Sequence, residues 1–186
     1  MKNLAKAFLV ICLVFVASGV YAYTDTQDIT VLVIIQKLSV AVSPSEYDFG
    51  GMTENSSEVA TSSITVTNDG NYTEKFMMSF PDGEPNGTWN SVTASAPGAE
   101  EYRLSAIFKD VAPGTGDYEA SDSFCDGCDR TASGTDLARD GDGDNVKGFD
   151  VSATQTRGLW FKFEAPSTTV ITTQQSITTR ITAVAD

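Results

Sequence analysis

Apolar residues recur at every second position through most of this chain, and that period decides what it can fold into. Phe76, Met78 and Phe80 share one face of an extended segment 74–80. Tyr102, Leu104, Ala106 and Phe108 do the same in 101–109. In 157–164, Leu159, Phe161 and Phe163 form one face, with Trp160 and Lys162 opposite. Ile64 and Val66 mark a strand within 59–68, Ile177 and Ile181 one within 174–184, and Trp89 a shorter one at 88–93. A period of two places successive side chains on opposite faces of a pleated strand. Turn chemistry separates the segments, most clearly Asn68-Asp69-Gly70-Asn71 and the Pro/Gly-rich 81–87. Beyond the N-terminal residues no stretch carries the 3.6-residue period of a helix, so the crossovers that parallel strands need are missing. The expected fold is therefore all-β: an antiparallel β-sandwich of seven to eight strands, with a closed barrel as the alternative.

One segment breaks the alternation. Residues 29–42 read ITVLVIIQKLSVAV, nearly all aliphatic or β-branched, with Gln36-Lys37 as the polar break. Fourteen extended residues span roughly 45 Å, longer than an ordinary strand. Either the run is two strands that change sheet near Gln36-Lys37, or part of it reaches beyond its own domain. In the second case Ile29, Val31, Val33 and Ile35 are the side chains that an assembly strand would offer to a neighbour's sheet.

Residues 1–22 have the plan of a secretory signal peptide: Lys2 and Lys6, a short apolar stretch, and small residues before Ala22. Cleavage there leaves 23–186 as a single domain, exported and without a membrane-inserted segment. With Lys2 and Lys6 gone, 10 basic residues face 25 acidic ones, a net charge of −15. That field repels nucleic acid and anionic lipid and attracts cations.

Residues 42–71 contain Ser43-Pro44, Asp48-Phe49-Gly50, Ile64-Thr65-Val66-Thr67-Asn68 and Gly70. This pattern resembles the opening of bacterial immunoglobulin-like modules, in the group related to the Hydin and abnormal-spindle domains. The resemblance implies an immunoglobulin-like sandwich in which Pro44 ends the first strand, Phe49 plugs one end of the core and Gly50 permits a bend. It implies no activity, since function resides in sites grafted on folds.

Residues 111–150 form a long Asp/Gly-rich loop by composition. Asp140, Asp142 and Asp144 alternate with Gly141 and Gly143, so that several oxygens can converge on one hard cation, with Asp150 as a further ligand. The stretch is similar to the first half of an EF-hand loop. It departs where Asn145 stands for the turn glycine and Val151 for the bidentate Glu, and it has no flanking helices. Two readings stay open: a calcium site on a β-sandwich loop, and an acidic surface that keeps the protein soluble. No other cofactor is implied.

Cys125 and Cys128 are the two cysteines that remain after residue 22, and the chain has no His. A closed zinc site from Cys and His alone is thereby excluded within one chain. The expected state is a small disulfide in an oxidising compartment, shaping the tip of the long loop. The absence of His also removes the usual nucleophile–base pairs and the usual base near neutral pH. Trp89 and Trp160 fall in predicted strands, as core residues rather than sugar platforms.

The chain thus reads as a non-enzyme. Two classes of function remain. One is a structural or adhesive subunit of a filament, surface layer or matrix, whose partner is itself or another cell-surface protein. The other is a secreted module that binds carbohydrate or protein with calcium.

Overall fold

The computed structural model describes residues 27–81, 89–93, 96–138 and 147–185. The chain divides into two units, Met1–Ile34 and Ile35–Asp186. Among the described residues no helix is long and apolar enough to cross a membrane.

The larger unit is all-β, with ten strands among the described residues. They are β1 (Val40–Ser43), β2 (Ser57–Val59), β3 (Ile64–Asn68), β4 (Glu74–Ser79) and β5 (Asn90–Ser91). Then follow β6 (Glu101–Phe108), β7 (Ser123–Phe124), β8 (Arg130–Thr131), β9 (Thr156–Glu164) and β10 (Arg180–Ala185). One sheet runs β1-β3-β9-β6, with β2 beside β9 and both β5 and β7 beside β6; the other runs β10-β4-β8. The pairings are antiparallel except β5 with β6, which is parallel.

The alternating segments become the strands on which both sheets are built. Phe76 and Met78 of β4 and Val66 of β3 are buried, as are Tyr102, Leu104, Ala106 and Phe108 of β6. They share one core with Leu159, Phe161 and Phe163 of β9. Phe49 packs on the same core 5.7 Å from Phe163, and Gly50 takes a left-handed φ of 71°. β1 ends at Ser43, immediately before Pro44.

Trp160 of β9, expected in the core, is 8 % exposed, and its indole N–H donates to the Lys109 carbonyl at 2.9 Å. Two features differ from the sequence expectation. The expected strand 59–68 is two strands, because 60–63 leave the ladder between β2 and β3. In addition, 111–138 is not a bare loop. It contains two 3-10 turns, Thr115–Asp117 and Ala120–Asp122, then β7 and β8, and it buries Asp122, Ser123, Phe124, Ala132, Leu137 and Ala138.

Candidate functional site

Of residues 29–42, only 40–42 pair, as part of β1 beside β3. Residues 29–35 lie outside any strand. Their six large aliphatic side chains, Ile29, Val31, Leu32, Val33, Ile34 and Ile35, are each between 78 and 89 % exposed. A fully buried aliphatic side chain of this size contributes about 2 kcal/mol, so the segment leaves on the order of 10 kcal/mol of burial unrealised. Soluble proteins rarely present so continuous an apolar surface without a partner for it.

The chain becomes fixed at Ile35. The Asn71 side chain accepts from the Lys37 amide at 2.7 Å and donates to the Ile35 carbonyl at 2.9 Å. The backbone amides of Asn71 and Asp69 donate to the carbonyls of Lys37 and Ser39, at 3.0 and 3.1 Å. A Cβ on Gly70 would collide with the Lys37 carbonyl, so the Asp69–Asn71 turn can lie this close only with glycine at its centre. Asn68 stabilises the turn from below, accepting from the Gly70 amide and donating to the carbonyls of Tyr72 and Val151. The Ser39 amide donates to Glu74 Oε2 at 3.2 Å, while Glu74 Oε1 is buried with no hydrogen-bond partner. Burial raises the Glu74 carboxyl above its ordinary range; the Ser39 amide opposes this and Asp69 adds to it.

The two lateral sides of the sheets are finished differently. On one side the chain passes from β7, beside β6, to β8, beside β4. It does so through a turn closed by the Cys125–Cys128 disulfide, with Cα atoms 4.9 Å apart and Gly127 at φ 71°. The Cys128 amide donates to the Cys125 carbonyl, and the Asp126 amide donates to Ser91 Oγ. The cysteines therefore sit where the chain crosses between sheets, a role that two-residue ladders kept hidden in the sequence. On the other side β1 and β10 are the terminal strands of their sheets, and they are neighbours.

Calcium ligation cannot be placed. Asp140, Asp142 and Asp144 lie outside the described residues; Asp150 is exposed, at a left-handed φ of 50°. Among the described residues no three His, Cys, Asp or Glu side chains converge as a metal shell.

The segment after β6 also covers the second face of β6 and β9. Arg103 and Glu164 are cross-strand partners and form an ion pair, and Lys162 joins Glu164 at 2.6 Å. Ser105 and Ser123 share a hydrogen bond of 2.7 Å, and Lys109 pairs with Asp117 at 2.6 Å. A cleft of about 80 Å³ lies among Arg103, Ser105, Tyr118, Glu119, Ser123 and Lys162. That is room for a few waters, below the several hundred Å³ of a typical small-molecule site. Asp122, within the Asp-rich 111–150, is fully buried and accepts from the amides of Glu119 and Ala138. Burial pushes its carboxyl up to about 7, against those two donors, with Glu119 and Asp136 adding to the rise. Burial, with Asp122 and Asp117 nearby, likewise raises the Tyr118 hydroxyl.

No family model, no curated protein and no solved structure matches this chain.

Proposed function

We propose that the chain is a non-catalytic, exported subunit that joins other copies of itself into a cell-surface or extracellular assembly. The observation that carries this reading is the exposed aliphatic segment 29–35, fixed at its C-terminal end by Asn71 and outside every strand. A segment that is apolar on both faces is suited to burial on both faces, which an added strand in another protein's sheet provides. The fold supplies a fitting host: two mostly antiparallel sheets around one core, read as an immunoglobulin-like sandwich with an open side at β1 and β10. Export is carried by residues 1–22, read as a signal peptide. The acidic surface then keeps subunits apart except where uncharged segments meet.

The test is the mass in solution of the chain from Tyr23, compared with Val31→Asp/Val33→Asp. Large species from the parent chain and monomers from the charged variant support the reading. Monomers from both remove it.

A further inference from the structure

We propose that the segment 29–35 of one copy adds as a strand to the free edge of β10 in the next copy. This inference rests on the self-association reading and names the surface that receives the segment.

Among the described residues, β10 is the longest strand that ends a sheet; the other edge strands, β1, β2, β5, β7 and β8, are shorter. The β7–β8 side is closed by the chain's own passage through the Cys125–Cys128 turn. On the opposite side stand β1 and β10. β1 is four residues long, and Pro44, without an N–H to donate, follows it directly. Upstream of β1, residues 37–39 are held by the Asp69–Asn71 turn and belong to no strand. β1 is thus a poor template.

β10 is the better one. It pairs with β4 along Arg180–Ala185 and ends its sheet on the other side. Residues 181–184 are half-buried, and Ile181 packs against the core. Before it, 174–179 lie outside any strand with Gln175, Ile177 and Thr179 less exposed than Gln174, Ser176 and Thr178. That alternation is extended chain continuing the β10 line, with Ile177 against the core. The edge lacks the usual devices that discourage pairing: β10 contains no Pro and its one charge, Arg180, is at its start.

Length and charge fit the two together. The seven residues 29–35 match the six of β10, and neither 29–35 nor 181–185 carries a charge. In a chain with 25 acidic and 12 basic residues, these are lines along which two copies do not repel. Donor and acceptor are different segments of the chain, so the contact is head-to-tail. A head-to-tail contact closes into a ring or grows into an open filament.

Amide hydrogen exchange by mass spectrometry, on the chain from Tyr23, tests this. At assembling concentrations the amides of 180–185 should exchange at least tenfold more slowly in the parent chain than in Val31→Asp/Val33→Asp, with 40–43 unchanged. Diluting the parent chain to monomer should remove the difference. Assembly with protection at 40–43 or elsewhere, and none at 180–185, would overturn the β10 assignment while leaving self-association standing. Protection at 180–185 that persists in dilute monomer would also overturn it, because the strand would then be added within one chain. A parent chain that stays monomeric and exchanges like the variant at every concentration overturns the self-association reading, and this inference with it.

Discussion

Asn71 holds both backbone polar groups of Lys37: its side-chain oxygen accepts the Lys37 amide at 2.7 Å, and its own amide donates to the Lys37 carbonyl at 3.0 Å. The side-chain nitrogen adds a third bond, to the Ile35 carbonyl. A single residue in the β3–β4 turn thus fixes where the aliphatic segment ends.

Asn71→Ala removes two of those three bonds, both exposed to water. The expected loss is about 1 kcal/mol of unfolding free energy, in line with solvent-exposed hydrogen bonds. Exchange at residues 35–39 should accelerate while β6 and β9 are unaffected. Chemical denaturation and amide exchange on one sample read both effects; faster exchange throughout the sheets would show that Asn71 supports the whole fold instead.

Asp122 should make the protein more stable in mild acid than in mild base. Its folded carboxyl lies at about 7, above the ordinary value of 3.8. Between those values the folded state holds a proton that the unfolded state has released, so stability falls as pH rises toward 7. Glu74, raised by the same cause, contributes with the same sign. Asp122→Asn should narrow the stability difference between pH 5 and pH 8 by on the order of 2–3 kcal/mol, from about 1.4 kcal/mol per pKa unit. An unchanged pH profile in the variant would contradict the assignment.

How far the sequence led can be seen strand by strand. β4, β6 and β9 were legible because their alternation is set by a core that takes every second side chain. The core placement of Trp160 was legible as well, but its bond to the Lys109 carbonyl was not, since it joins residues far apart in the chain. β7 and β8 were illegible for a simpler reason: two-residue ladders leave no period. Composition did not show the burial of Asp122, whose local sequence is as polar as any loop while its carboxylate accepts from Ala138, sixteen residues away. The aliphatic segment stood out as a departure from alternation. That it would stop pairing short of β1 was not visible, because 36–39 are held by the Asp69–Asn71 turn rather than by a ladder.

Gly148 shows how closely the segment after β6 packs. A Cβ there would collide with the Phe108 ring and come within 2.9 Å of Ala132 Cβ. Gly148→Ala should lower stability by about 1–3 kcal/mol, the usual range for overpacking a filled core. A melting curve that matches the parent chain would mean that 147–150 shifts away without loss.

The Cys125–Cys128 bridge should matter locally. It closes a loop with a sequence separation of only 3. Loop-closure entropy for so short a loop is worth at most about 2 kcal/mol. Cys125→Ser/Cys128→Ser should therefore remain folded, with faster exchange at β7 and β8. Assembly should be retained, because the bridge lies on the side of the sheets away from β1 and β10. Loss of assembly in a folded double variant would place the contact at the wrong side in this account.

The most direct test of the central claim is light scattering on the chain from Tyr23, with and without Val31→Asp/Val33→Asp, at low and moderate salt. The account predicts large species from the parent chain, favoured by salt as it screens the acidic surfaces, and monomers from the charged variant. Large species from both chains would show that residues 29–35 are not the joint. A monomeric parent chain under every condition would contradict self-association outright.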